Sequence, residues 1–438
     1  MVIARSRAVV SGAILLIATV SVPLAAAQES DSFTFGEPEA ESDQASSAPP
    51  GGAEPEDSPW TYRLDLAVLE TGITTANDPP SDAASHAEAE VSVARRFGWQ
   101  WEAQLGVHLE GQWQDGGRYP SASRADADYA ESWLRYRADG WRFTAGTQKI
   151  LWGRVDERPP TDGLSTRDIT RFALDELSKR RRASPALRLE AFPGQWKLDF
   201  VYLPVFREAE LPDADSIWHP VDRTEGRFFG RPATPGLREL IRSARFVEDD
   251  SGNGGGGMRL SRSGGAVDFA LTAQRARRSA PYYRLDDASR AAILAGRRPR
   301  TQPVFTAEHP DTWLLGGDVA KAVGGWTWRA EAAWRSDVPV TRPDDLSFDT
   351  VEGVEWAAGT EGFPGGGDFR TTLQLSGEHL IDAGRAQDIE DAYRIGGELE
   401  QPFLDHRLRA NLRFVSGLDR HDVYLNPELA WVGWEPNE

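Results

Sequence analysis

WQWEAQLGVHLE, residues 99–110, is the stretch on which the fold turns. Trp99, Trp101, Ala103, Leu105, Val107 and Leu109 alternate with Gln100, Glu102, Gln104, His108 and Glu110. A period of two places the first set on one face of an extended strand and the second on the other. One face is apolar and ends in aromatics; the other is polar and charged. Upstream, Tyr62, Leu64, Leu66 and Val68 alternate with Arg63 and Asp65, and Ala87, Ala89, Val91 and Val93 with Glu88, Glu90 and Ser92. Downstream, Trp196, Leu198, Phe200 and Tyr202 oppose Lys197 and Asp199. Trp326, Trp328, Ala330, Ala332 and Trp334 oppose Thr327, Arg329, Glu331 and Arg335, and Leu408, Ala410, Leu412 and Phe414 oppose Arg407, Arg409, Asn411 and Arg413.

This period fits a soluble sandwich, whose polar face meets water, or a membrane barrel, whose polar face lines a lumen. Three features favour the barrel. The pattern persists along the whole chain. The runs are about ten residues long, as a tilted membrane strand requires. The connections alternate in length: short ones fall at residues 96–98, 139–140, 193–195, 263–265, 324–325 and 402–406, and long ones near Ser81 and at 116–124, 153–184, 206–256, 275–309 and 339–348. Such long loops are uncommon inside compact domains, whereas short turns on one side and long loops on the other are the asymmetry of outer-membrane barrels. The expected fold is all-β: a transmembrane antiparallel up-and-down β-barrel of about 16 strands, with an inward-folding helical loop. The last strand falls near residues 423–431. No aromatic-terminated strand closes the chain, which ends in Glu438, so a missing final hairpin and about 18 strands in the intact protein are expected.

The ends and the composition agree. Arg5 and Arg7, an apolar run over 8–22 and Ala25-Ala26-Ala27 form a signal peptide over residues 1–27. Residues 28–59 carry nine carboxylates and no Lys or Arg, an acidic disordered linker ahead of a barrel over 60–438. After the N-terminus no apolar run reaches the ~18 residues of a membrane helix, and mean hydropathy is -0.49. There is no Cys, hence no disulfide, thiol chemistry or lipoprotein anchor. A net charge of -19 argues against nucleic acid as a partner. These features place the chain in the outer membrane of a Gram-negative cell.

One stretch lacks a strand period: QKILWGRVDERPPTDGLSTRDITRFALDELSKRRR, residues 148–182. Pro159-Pro160 imposes extended backbone, and Asp162-Gly163 signals a turn. Ser165 or Thr166 caps a predicted helix over 167–181, with Asp168 in its first turn, Lys179 to Arg182 in its last, and an apolar stripe of Ile169, Phe172, Ala173 and Leu177. The segment follows an outward-running strand. Trp152, Arg154, Asp156, Asp162, Arg167, Asp168, Arg171, Asp175, Glu176, Arg180 and Arg181 make it the candidate constriction loop, because so many charges can mate with a charged lumen.

The candidate lumen lining comprises Glu102, His108, Glu110, Arg188, Glu190, Lys197 and Asp199, then Arg329, Glu331, Arg335, Arg407, Arg409 and Arg413. Rings of charge set pore selectivity, and Arg407, Arg409 and Arg413 point to anionic solutes. For catalysis, only His108, beside Glu110, has a plausible partner among seven histidines, and a satisfied wall histidine is preferred. There is no G-x-S-x-G, and Asp213/Asp215 and Asp249/Asp250 lack EF-hand spacing. No catalytic group, metal or cofactor is expected. The outer loop with Arg275, Arg277, Arg278, Arg297, Arg298 and Arg300 suits lipopolysaccharide phosphates.

The residues at 145–156, Asp162 with 165–168, 201–204, Leu211-Pro212 and 328–331 resemble an uncharacterised family of proteobacterial outer-membrane β-barrel proteins, filed as a domain of unknown function and described as porin-like. The layout is also similar to alginate-export and phosphate-selective porins, at the level of architecture. The resemblance implies a barrel inserted by the barrel-assembly machinery. Genes of that family sometimes accompany inner-membrane transporters of the RND type, which implies a periplasmic or inner-membrane partner and traffic in lipids or hydrophobic compounds. Two functions are therefore weighed: passive diffusion of small polar, including anionic, solutes, and lipid transport with such a partner. A structural or adhesive barrel is a third.

Overall fold

The computed structural model describes residues 60–431 except 74–78, 172–176, 178, 229–233, 249–251, 385, 387, 389 and 420–421. The signal peptide, the acidic linker and the tail after Trp431 lie outside the described residues, as do Phe172, Ala173, Asp175 and Glu176 of the predicted helix.

The wall opens with β1 (Trp60–Ile73), β2 (Ala83–Phe97), β3 (Trp101–Asp115), β4 (Ala122–Tyr129), β5 (Ser132–Ala138) and β6 (Trp141–Gln148). The central loop holds the short β7 (Thr166–Arg167) and β8 (Arg181–Arg182). The wall resumes with β9 (Ser184–Ala191) and β10 (Trp196–Leu203). A long loop then carries β11 (Val221–Asp222), β12 (Arg227–Phe228), α1 (Pro235–Ser243) and β13 (Arg245–Val247). After β14 (Gly255–Arg262) and β15 (Asp268–Arg277), a second long loop carries β16 (Tyr282–Leu285), α2 (Asp287–Leu294) and β17 (Val304–Glu308). The wall ends with β18 (Asp311–Val323), β19 (Trp326–Thr341), β20 (Phe348–Gly362), β21 (Arg370–Ile381), β22 (Asp391–Phe403), β23 (Leu408–Gly417) and β24 (Val423–Trp431).

Except at β4 and β5, each wall strand pairs antiparallel with the next, in one 17-stranded sheet. β4 and β5 both pair with β3, Val107↔Tyr129 above and Gln104↔Trp133 below, so they form one interrupted crossing. The described wall thus crosses sixteen times, as the alternation predicts, and β24 covers the residues expected of a last strand. Within it β1 and β24 are the two edges. Short turns and longer loops alternate from β1 to β19, and the contrast fades after it, where the connections at 342–347, 363–369 and 418–422 are of similar length. The sequence reading missed one short turn, at 363–369, between β20 and β21.

Burial is inverted relative to a water-soluble sheet. Leu105 is 68% exposed and Leu271 60%, while Glu190 is 1% and Glu331 3% exposed. Exposed aromatics gather at both ends of the strands: Trp99, Trp101, Trp141, Trp196 and Trp328 beside the short turns, and Trp113, Tyr202, Trp313 and Tyr393 beside the long loops. From Trp101 to Trp113 along β3 the rise is about 40 Å at ~3.3 Å per residue, and a tilt of about 40° brings the belts roughly 30 Å apart. That separation matches the ~30 Å hydrocarbon core of a bilayer.

Candidate functional site: the loop across the inner face

The segment after β6 leaves the wall and crosses the inner face. Gly153 starts the departure with φ 123°, where a Cβ would strike Pro159 and the Glu331 carboxylate. Trp152 is buried with Ile150, Leu164, Val201 and Leu203, and its indole N–H donates to Asp199 (3.2 Å). Across the cavity, Glu331 on β19 accepts from the Arg154 amide (2.9 Å), the Thr161 amide (2.6 Å) and the Thr161 hydroxyl (2.7 Å). Arg335 donates to the Pro160 carbonyl (2.8 Å), and Gln274 on β15 to that of Thr161 (2.6 Å). Arg154 pairs with Asp318 on β18, and Asp156 with Arg329 (3.3 Å). On the near side, Lys149 pairs with Glu90 of β2 (3.1 Å), Arg171 with Glu70 of β1, and Arg182 with Asp128 of β4. Partners on strands from β1 to β21 mean that the sheet curls around the loop. A buried carboxylate is tolerable only when its lone pairs are met, so Glu331 holds the loop because the loop's amides satisfy it.

The predicted helix over 167–181 is corrected at both ends. Thr166–Arg167 and Arg181–Arg182 pair as an antiparallel ribbon, and Asp168 donates its amide to the Arg180 carbonyl (3.0 Å). Two contacts account for this. The buried Arg181 is forked onto Asp162 (2.6 and 2.8 Å), drawing the end of the segment back to its turn. The Asp168 carboxylate accepts from the amide and hydroxyl of Thr170, a local turn that competes with helix.

Along the wall, Arg188 pairs with Asp199 (2.6 Å), Lys197 with Glu190 (2.7 Å), and Glu102 accepts from Arg137 (3.2 Å). Arg409 and Arg413 lie on β23, where Arg413 is in register with Glu398. Arg407 is corrected: it sits exposed in the turn after β22, where Leu404, Asp405 and His406 all take positive φ, and does not line the wall. His108 is corrected in its partner. It faces Glu90 (3.8 Å), its partner in register across β2 and β3, and reaches Glu88 (3.9 Å) on the diagonal, while Glu110 pairs diagonally with His86 (3.3 Å): cross-strand neighbours meet before neighbours on one strand do. Of the basic outer loop, Arg297, Arg298 and Arg300 are exposed, whereas Arg278 is turned inward.

Sequence reasoning missed the feature at the loop's far side. Arg158 and Arg335 pair with Glu378 (3.4 Å) and Glu355 (3.3 Å), and Arg167 and Arg278 stand within electrostatic reach of the same group. Burial, and then the like charges of Arg181 and Arg158, push the Arg167 guanidinium below the ordinary arginine value. Beside the Arg181–Asp162 pair, four further guanidinium groups thus stand around two carboxylates. Glu355 and Glu378 were accessible through the parity of their strands; nothing local marks Arg278, which the outer loop delivers.

An antiparallel meander with an apolar, aromatic-belted outside, a charged inside and a loop across it has the architecture of a membrane-spanning β-barrel wall. No family model and no curated protein matches the chain. Solved structures similar to it include an anion-selective porin from Comamonas acidovorans (12% identity, covering 84% of this chain and 94% of that one, TM-score 0.38). OprB of Pseudomonas putida (12%, 84% and 93%, 0.43) and OmpT, an outer membrane protein of Vibrio cholerae (10%, 86% and 96%, 0.43), are others. At these scores none of them bears on what the chain transports.

Proposed function

We propose that the protein is an outer-membrane channel for passive diffusion of small polar solutes, with a preference for anions set at the central loop. The observation that carries this is the guanidinium excess of Arg158, Arg167, Arg278 and Arg335 over Glu355 and Glu378 beside the loop that crosses the inner face. Rings of fixed charge raise the local concentration of counter-ions and repel co-ions. The resemblance to porin-like proteins of proteobacteria fits this reading, and the charged inner face suits polar solutes better than lipid cargo. The test is the reversal potential of single channels in a salt gradient. The wild type is expected to favour chloride over potassium, and Arg158→Glu to shift the potential toward cations. Cation selectivity in the wild type, or no conductance from pure protein, would overturn the proposal.

A further inference from the structure

Apart from the ion pairs of the inner loop, the long loops after β10 and β15 bring together Glu208, Glu248 and His309, with one ligand atom of each within 4.8 Å of the others. The topology explains the meeting. β13 and β17 pair in parallel, Val247↔Thr306, so their C-terminal ends point the same way. Glu248 is the residue after β13, and His309 the residue after β17. Glu208 comes from the chain leaving β10, where the neighbouring Ala209 amide is held by the Ser279 carbonyl (2.9 Å).

The imidazole is set for ligation. His309 is 5% exposed, and its Nδ1 lies 2.8 Å from the Arg278 carbonyl. A carbonyl can only accept, so Nδ1 carries the proton and the neutral ring's lone pair is on Nε2. Phe206 packs on the ring at 4.9 Å and fixes its plane. Glu248 has a support of its own: the Tyr283 hydroxyl donates to its Oε1 (3.0 Å). An oriented histidine with a backbone carbonyl behind it and a carboxylate with a hydroxyl behind it are the outer supports of metal ligands.

We propose that Glu208, Glu248 and His309 bind a divalent cation of zinc's class and thereby staple the loop after β10 to the loop after β15. One nitrogen and two carboxylate oxygens suit zinc, with water completing the tetrahedron. Ligand atoms on a tetrahedral zinc stand about 3.3 Å apart, so closing onto the ion takes rotation of the exposed Glu248 side chain. The rival counter-charges are Arg223, held over the Phe246 ring (4.8 Å), and Arg277, held over the Phe206 ring (4.3 Å).

The experiment uses the full chain, folded in detergent, stripped with chelator and titrated calorimetrically with zinc chloride. The wild type is expected to bind one equivalent with a micromolar or tighter Kd, and Glu208→Gln and Glu248→Gln each to weaken it at least tenfold. The double variant E208Q/E248Q is expected to abolish it; these isosteric changes spare the buried ring, and heat-dependent mobility on gels checks folding. Absence of saturable binding by the wild type would mean that the arginines already balance the carboxylates, and it overturns the site. Binding of equal affinity in the folded double variant would place the ion elsewhere, the acidic residues 28–59 being the obvious sink, and overturns it equally.

Discussion

His219, in the loop after β10, is buried beside Val221, whose amide donates to its Nδ1 (3.0 Å). Burial holds its pKa down at about 4, and Arg223 adds to the effect against Asp213 and Asp215. The ring is therefore neutral in the folded protein at pH 7. An unfolded histidine titrates near 6.5. The folded value is the lower, so the stabilisation is complete above about pH 6.5 and is lost as pH falls toward 4. Cleavage of residues 204–254 by proteinase K is expected to accelerate over that window, and His219→Gln to flatten the dependence. An unchanged profile in the variant would assign the acid sensitivity to other groups.

At the scale of the element, deletion of residues 158–181 removes the loop's span but none of the wall strands. It is expected to raise single-channel conductance severalfold while the protein keeps its heat-dependent gel mobility; unchanged conductance would place the loop outside the current path. The strands themselves were legible because lipid on one side and charge on the other enforce the period of two at every position, as residues 99–110 illustrate. The loop was legible only as a break in that period. Its ribbon in place of a helix depends on Asp162 meeting Arg181, and its course depends on Glu331, whose sequence context is that of any alternating wall carboxylate. Local pattern encodes periodicity and turns. It does not encode which of many carboxylates on one face will receive a distant segment's amides.

At the scale of the whole molecule, the outward face is defined by what it must touch. Val107 lies midway between Trp101 and Trp113 and is exposed. Val107→Arg is expected to destabilise the protein in lipid vesicles by about 2–4 kcal/mol, the cost of such a charge near the bilayer midplane. Leu404→Arg, in a turn, is expected to cost little. Equal costs in urea titrations would sink the membrane-facing assignment. The bonds from Glu331 to the far side of the loop, and from Glu70, Glu90 and Asp128 to its near side, have a mechanical meaning too. They make the segment a strut between opposed arcs of the wall. A curved sheet in a crowded membrane yields to lateral pressure by flexing, and a strut bonded to well-separated strands resists that flexing as lipid packing changes around it.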